Sequence, residues 1–502
     1  MAGARRSFLG ICYCDPKGRE EQTVVADLDG AVFFSRSSFP YFFLVAIEAG
    51  SFLRGAFLLL LYPLICFLRS FVSGSLATQM MIFVSMSGLK IRDIQLVAKA
   101  VLPKFYASDV REDAWRVIGA CKRRILVTSD PIIMVEPFAV EFLRANAVVG
   151  TEIEVNRWTG RATGLVKSPG VVAGELKVRA VERVLCGELA DLAIGNGESD
   201  YDFTAICKEC YMVHPDPSAA VVPPDCLNKP IIFHDGRLIE RPTPINALIV
   251  YIWLPFGFLL ALVRVHLHSF LPIHLVIPIY HRIGVHVIVH GTPPPPPSPN
   301  SPGSMFVCNH RTLLDAVMIH VALKRKVSTV TYSLGRMSEL LSPIPLVRLT
   351  RHRPTDRRLI SSFLNSGDLI ICPEGTTCRE RYLLRFSQLF AELSDRIVPV
   401  AIESRQSMFH GNTARGWKSL DVYFFFMNPR VRYEVTILDG LPGEWTYKSG
   451  TPAIDIANQV QQLLGATLGF QCTVLTRKDK YMALSGNDGR VEAAVSSIKV
   501  AL

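Results

Sequence analysis

Residues 305–319 read MFVCNHRTLLDAVMI: four apolar residues, a polar turn, then a run that fits a helix. A short continuous apolar run before turn residues is the mark of a strand buried on both faces. The stretch therefore predicts a strand–turn–helix unit of a parallel α/β sheet, where side chains at the carboxyl end of a strand gather around a ligand. His310 and Asp315 lie five apart in it. Inside one ideal helix they would point roughly 140° apart. His310 is accordingly placed on the turn, where Asp315 from the first helical turn reaches its ring. Such a carboxylate fixes the imidazole tautomer and stabilises the imidazolium, which suits a general base acting on a substrate hydroxyl. The spacing alone is weakly specific: with twelve histidines in the chain, an aspartate five residues on arises by chance about half the time.

Three more stretches follow it: GRMSELLSPIPLVRLTRHR (335–353), LIICPEGTTCRE (369–380) and IVPVAI (397–402). None offers a serine or cysteine nucleophile beside the histidine, and Cys308 falls inside the strand, so direct transfer to a hydroxyl is expected rather than a covalent enzyme intermediate. Pro399 is expected to end the last strand. Upstream, VVADLDGAVFF (24–34) is an apolar strand closing on Asp27 and Asp29, RILVTSD (124–130) closes on Thr128, and LADLAIG (189–195) runs into GNGESD with Asn196 and Asp200. These runs alternate with helical patterns over residues 1–225, which predicts a second parallel sheet whose strand ends bring those side chains together.

The rest of the chain frames these two sites. At 502 residues it exceeds one ordinary core, so two or three domains are expected. A net charge of +10, from 54 basic and 44 acidic side chains, joins a mean hydropathy of +0.27. Basic and oily together point to a membrane surface, and no aromatic-interleaved basic stripe points to nucleic acid. Twelve scattered cysteines read as reduced thiols facing the cytosol, and Cys207 and Cys210 in CKEC lack a second pair for zinc. The N-terminal apolar stretch is too short for a signal-peptide core, and Ala2 excludes N-myristoylation.

Residues 245–263 run uncharged over about the length of a bilayer core. FLPIHLVIPIY (270–280) follows, so a helical hairpin that keeps both soluble parts on one side is expected. GAFLLLLYPLICFL (55–68), with Pro63 in its middle, reads as re-entrant or interfacial. His266, His268, His274, His281, His286 and His290 share no spacing that would aim them at one metal. GTPPPPPSPNSPG (291–303) reads as a polyproline spacer. The expected division is thus 1–225 with a membrane-associated insertion near 39–73, a membrane hairpin at 226–290, the proline-rich loop at 291–303, and a last domain at 304–502.

The strand-end residues of 23–205 resemble the haloacid dehalogenase-like phosphatases. That resemblance implies Asp27 as nucleophile, Asp29 as general acid, Thr128 as holder of phosphoryl oxygens, and Lys177, or else Lys167, as charge partner, with Mg²⁺ possible. The sequence departs at the last motif, where Asn196 replaces an acidic ligand and Asp200 remains; this implies a degenerate site. The four downstream blocks resemble the glycerolipid acyltransferases, and the whole chain resembles the land-plant glycerol-3-phosphate acyltransferases of the sn-2 type. Implied are an N-terminal Rossmann-like haloacid dehalogenase-type domain, membrane helices and a C-terminal α/β acyltransferase domain at the endoplasmic reticulum membrane, both soluble domains facing the cytosol. Implied too are catalysis by His310 and Asp315, with Arg351, then Arg348 and Arg353, on the substrate phosphate, and Glu374, Gly375, Thr376 and Arg379 around the rest. The partners would be acyl-CoA, glycerol 3-phosphate and the lipid bilayer, with no cofactor for acyl transfer. The product would be lysophosphatidate for cutin- or suberin-type polyesters. The alternatives are a bifunctional enzyme releasing 2-monoacylglycerol and a non-catalytic membrane scaffold.

Overall fold

The computed structural model describes residues 8–197, 206–216, 218–298, 301–331, 342–350 and 352–489. The chain divides into two units. One comprises residues up to Gly236 with Glu240–Tyr251; the other comprises Arg237–Ile239 with the residues from Ile252 onward.

In the first unit β1 (Leu9–Gly10), β2 (Thr23–Asp27), β3 (Arg123–Pro131), β4 (Ala147–Thr151), β7 (Leu192–Gly195) and β8 (Glu209–Met212) form a parallel sheet ordered β1-β8-β7-β2-β3-β4, and β5 (Ile153–Asn156) with β6 (Arg161–Val166) makes a separate hairpin. The apolar runs expected to be strands are β2, β3 and β7, with Val25, Ile125, Val127 and Ile194 fully buried. β2 runs on to β3 on one side while its other neighbour β7 runs on to β8 on the far side, so the switch point where side chains collect lies between the carboxyl ends of β2 and β7.

The helical insertion between β2 and β3 exceeds the expected 39–73. Helices succeed one another from Phe39 to Ala120. Gly74–Met86 is apolar on nearly every side, so it carried no amphipathic period to announce it. Within the insertion, Phe52–Leu60 and Tyr62–Val72 bend by 46°. Pro63, in the first turn of the second helix, lacks the N–H that would carry the first one on.

In the second unit β9 (Val285–His290), β10 (Met305–Cys308), β11 (Val327–Thr331), β12 (Leu346–Arg348), β13 (Asp368–Ile371), β15 (Ile397–Gln406) and β16 (Val431–Ile437) form a sheet ordered β12-β11-β13-β10-β15-β16-β9, while β14 (Tyr382–Leu383) pairs with β17 (Gln471–Cys472). All its pairs are parallel except β15 with β16. β10 is central, and its Met305 and Val307 pack in one core with Ile456, Val460 and Leu464 of the helix Ala453–Leu468.

Two expectations are corrected here. Residues 285–290, assigned to the end of a membrane hairpin, form edge strand β9 beside β16; the alternation VHVIVH is a strand period that its histidines disguised. Pro399 does not end its strand but sits inside β15, which continues to Gln406. A proline forfeits only its own N–H, and the Pro399 carbonyl still accepts from Leu438 N at 3.0 Å.

Residues 244–282 are helical, as Pro244–Phe270 and Ile273–Arg282. The first is, among the described residues, the one helix long and apolar enough to cross a membrane. Trp253 Nε1 donates to Met427 O at 2.8 Å, and the buried Arg264 donates to Phe426 O (2.7 Å), Asn428 O (2.6 Å), Pro429 O (3.1 Å) and Ile283 O. Ile252, Phe256, Leu259 and Val263 make an exposed apolar stripe on the same helix. His281 and His286 meet edge-on with centroids 4.4 Å apart. Among the described residues neither this pair nor Cys207 and Cys210 gathers a third metal ligand.

Candidate functional site

At the carboxyl end of β2 the structure assembles the phosphatase-like residues. Lys177 Nζ lies 2.9 Å from Asp27 Oδ2, both side chains buried. Lys167, the alternative, is exposed on Glu152. Thr128 Oγ1 donates to Asp29 Oδ1 (2.8 Å), and Ser129 donates to Asp29 Oδ2 through N (2.8 Å) and Oγ (2.7 Å). Thr128, expected to hold phosphoryl oxygens, thus faces Asp29. Asn196 Nδ2 donates to the main-chain oxygen of Asp29, and Gly30, at φ +82°, leaves the room it occupies. Asp200 lies outside the described residues. Ser129 and Asp130 escaped the sequence reading; burial, with the Asp29 charge, holds Asp130 well above the usual carboxylate range. Among the described residues, donors face both Asp29 oxygens and both Asp27 oxygens, Asp27 Oδ1 accepting from Asp29 N at 3.4 Å.

The second site is built at the carboxyl end of β10. Its four residues are fully buried, and Asn309 extends the ladder with its side chain, accepting from Ile402 N (2.7 Å) and donating to Ile402 O (2.9 Å). The chain then turns, and Asp315 opens the helix Asp315–Leu323, an end that favours a carboxylate. His310 Nδ1 is 2.8 Å from Asp315 Oδ2. Asp315 also accepts from Arg311 N (2.6 Å), Thr312 N (3.0 Å), Thr312 Oγ1 (3.0 Å) and Tyr433 Oη (2.7 Å). The carboxylate is held on several sides and cannot turn away from the imidazole.

One correction bears on the chemistry. A cysteine does stand beside His310: Cys372 Sγ, a His310 ring nitrogen and an Asp315 oxygen lie within 4.8 Å of one another. Cys308 closes MFVC and Cys372 closes LIIC, and the parallel pairing of β10 with β13 sets these strand ends side by side. Both Asp315 oxygens also accept from the other donors, on Arg311, Thr312 and Tyr433. Burial alone would push the His310 imidazole down, but the Cys372 sulfur and the Asp315 carboxylate hold it well above the usual histidine range.

His310 opens onto a cavity of about 770 Å³, a size that holds a small-molecule substrate. Residues 23–213 match the family model described as "Glycerol-3-phosphate acyltransferase RAM2-like, HAD-like domain", and residues 286–403 match the model "Acyltransferase". The chain is 49% identical to glycerol-3-phosphate acyltransferase RAM2 of Petunia hybrida over 92% of its own length and 97% of that protein's. It belongs to the glycerol-3-phosphate acyltransferase family. Identity to glycerol-3-phosphate acyltransferase 1 of Arabidopsis thaliana is 40%, covering 93% of this chain and 82% of the relative. The probable glycerol-3-phosphate acyltransferase 2 of that plant is also 40% identical, over 94% and 90%. The family's reaction is acyl transfer to glycerol 3-phosphate.

In this acyltransferase the cavity wall takes in His310, Arg353, Glu374, Gly375 and Thr376 of the expected residues, but not Arg348 or Arg379. Arg348 is exposed at the end of β12. Arg379 Nε donates to Asn412 Oδ1 at 2.9 Å, which braces the loop next to Arg311. Arg351 lies outside the described residues. Arg353 pairs with Glu392. Glu374 lines the cavity, yet its oxygens accept from His310 N (2.7 Å) and Leu384 N (2.9 Å). It ties the His310 turn to the next loop, and burial pushes its carboxyl up to about 7. Gly375 has φ +65°, a conformation only glycine adopts without strain. Arg385, Lys418, Arg477 and Lys480 also line the cavity. They escaped the sequence reading because they lie outside the four blocks and reach the site only through the fold.

Proposed function

We propose that the protein moves an acyl group from acyl-CoA to the sn-2 hydroxyl of glycerol 3-phosphate and releases 2-acyl lysophosphatidate. The observation that carries this reading is the buried, multiply held Asp315 on His310 at the mouth of a cavity lined by cations. His310 takes the hydroxyl proton, the alkoxide attacks the thioester carbonyl, and coenzyme A leaves; no metal or organic cofactor takes part. The test is an assay of the purified chain with labelled glycerol 3-phosphate and acyl-CoA, in which the product is identified as lysophosphatidate, as monoacylglycerol, or as nothing above background.

Arg351 is proposed to bind the substrate phosphate, since a guanidinium meets phosphate in bidentate fashion. Arg351→Ala should raise the KM for glycerol 3-phosphate roughly ten- to a hundredfold, with a much smaller change for acyl-CoA. An equal rise for both substrates would remove the assignment.

The phosphatase-like site is proposed not to turn over. Asn196 supplies no charge to a metal, and the Asp29 oxygens are engaged by Thr128 and Ser129. The product should therefore keep its phosphate, and Asp27→Asn should leave its identity unchanged. Asn196→Asp, if it alters anything, should move the product towards 2-monoacylglycerol. Mainly monoacylglycerol from unaltered, phosphatase-free protein would defeat this reading.

The bilayer is the proposed seat of the enzyme. Trp253 and Arg264 fix one side of the long helix to residues 426–429 while Ile252, Phe256, Leu259 and Val263 stay bare, as suits a helix lying in an interface. The endoplasmic reticulum membrane, with both units facing the cytosol, and a role in cutin- or suberin-type polyesters rest on the family resemblance.

A further inference from the structure

Two thiols meet beside His310. The β10–β13 ladder pairs Phe306 with Ile370 and Val307 with Ile371, so Cys308 and Cys372 are next in register. Neighbouring strands lie about 4.8 Å apart, inside the range of roughly 4.4–6.8 Å between Cα atoms that a disulfide spans. Their sulfurs are 3.3 Å apart and both thiols are free.

The two have different surroundings. Cys308 is wholly buried, with Ile371 O at 3.7 Å from its sulfur, whereas Cys372 lines the same cavity as His310. The Cys308 hydrogen bond, helped by the His310 charge, draws the Cys372 thiol down to about 6 against the effect of burial; the same hydrogen bond and burial hold Cys308 well above the thiol range. A thiolate open to small molecules, with a second thiol in contact, is oxidised first and then resolved by its neighbour.

We propose that Cys372 and Cys308 form an oxidation site in the wall of the acyl-transfer cavity, closed to a disulfide by peroxides, and that closure takes a negative charge away from His310. The Cys372 thiolate attacks a peroxide oxygen and the O–O bond breaks, leaving a sulfenic acid and, with a proton, water. Cys308 then forms the S–S bond as its thiol proton and the sulfenic hydroxyl depart as a second water. Two thiols lose two electrons in all, and one peroxide gains them.

The consequence for catalysis rests on His310 being the general base. Asp315 faces the imidazole from the following helix, with the Tyr433 hydroxyl of β16 behind it. Cys372 and Glu374 come from the turn after β13, and Glu374 meets the His310 main chain. Oxidation abolishes the Cys372 charge and leaves the carboxylates in place. The oxidised enzyme thus releases the His310 proton at lower pH, and the acid limb of kcat/KM moves to lower pH.

Full-length protein in detergent is treated with hydrogen peroxide, digested without reductant and searched by mass spectrometry for a peptide joining Cys308 to Cys372; a parallel sample gives the pH profile of acyl transfer before and after dithiothreitol. The cross-linked peptide and the lowered limb should appear together and be reversed by reductant. Cys308→Ser should give no cross-link and should leave Cys372 as a sulfenic acid that dimedone traps. Absence of both cross-link and sulfenic acid overturns the proposal, and so does a cross-link that leaves the limb in place. Failure of the general-base reading is distinguishable, because His310→Ala would then keep its turnover while the cross-link still formed.

Discussion

His310→Ala is expected to lower acyl transfer by roughly 10²- to 10⁴-fold, the range attributable to a positioned general base, with little change in the folding of the second unit. The side chain is partly open to the cavity, and the Glu374 link is to its main-chain N–H, so truncation leaves the turn's anchors in place. Asp315→Asn should cost nearly as much by another route. The amide keeps the shape, but it places an NH₂ among the N–H and O–H donors of Arg311, Thr312 and Tyr433 and withdraws the charge that stabilises the imidazolium. Tyr433→Phe removes one donor to a group that keeps several, and a loss of about 0.5–1.5 kcal/mol of stability is expected from it. Steady-state kinetics with thermal melts decides the matter. Near-normal turnover in His310→Ala would sink the general-base assignment.

Arg264→Ala should be the most damaging substitution for stability. Its guanidinium donates to carbonyls of Ile283, Phe426, Asn428 and Pro429 and is fully buried. Alanine would leave those carbonyls without donors, and each buried group left unmet costs about 1–3 kcal/mol. A loss of at least about 3 kcal/mol follows, which for a unit of this size lowers Tm by roughly 6–12 °C. Arg264→Lys keeps the charge but not the planar fork that reaches several oxygens, and should fall between. A shift of less than about 1 °C in detergent for Arg264→Ala would mean that water satisfies the carbonyls and that the helix is held elsewhere.

Much of the architecture was legible because parallel strands buried on both faces must be continuous apolar runs, and because such sheets collect polar side chains at their carboxyl ends. TVVAD, RILVT and MFVC therefore announced β2, β3 and β10, and with them Asp27, Thr128 and His310. The turn placement of His310 followed from helical geometry alone, and the Asp315 hydrogen bond has the arrangement that reasoning requires. Lys177 was already preferred to Lys167 on the sequence, and the fold adds the contact itself by setting Lys177 against Asp27.

What the sequence by itself determined was local: which runs are strands, which side chains end them, and the family to which their order belongs. Tertiary structure decided what depends on strand order and on partners far along the chain. The pairing of β10 with β13 brought Cys372 to His310, although 62 residues separate them, and no local pattern specifies which strands become neighbours. Glu374 looked like a substrate ligand in PEGTT, and only the folded turn shows its oxygens on main-chain N–H groups of residues before and after it. The cations Arg385, Lys418, Arg477 and Lys480 reach the cavity through the packing of distant segments. The physical reason is common to all of them: backbone periodicity is a short-range property written into neighbouring residues, whereas a site is fixed by the long-range burial of apolar faces, which selects one strand order and thereby the side chains that meet.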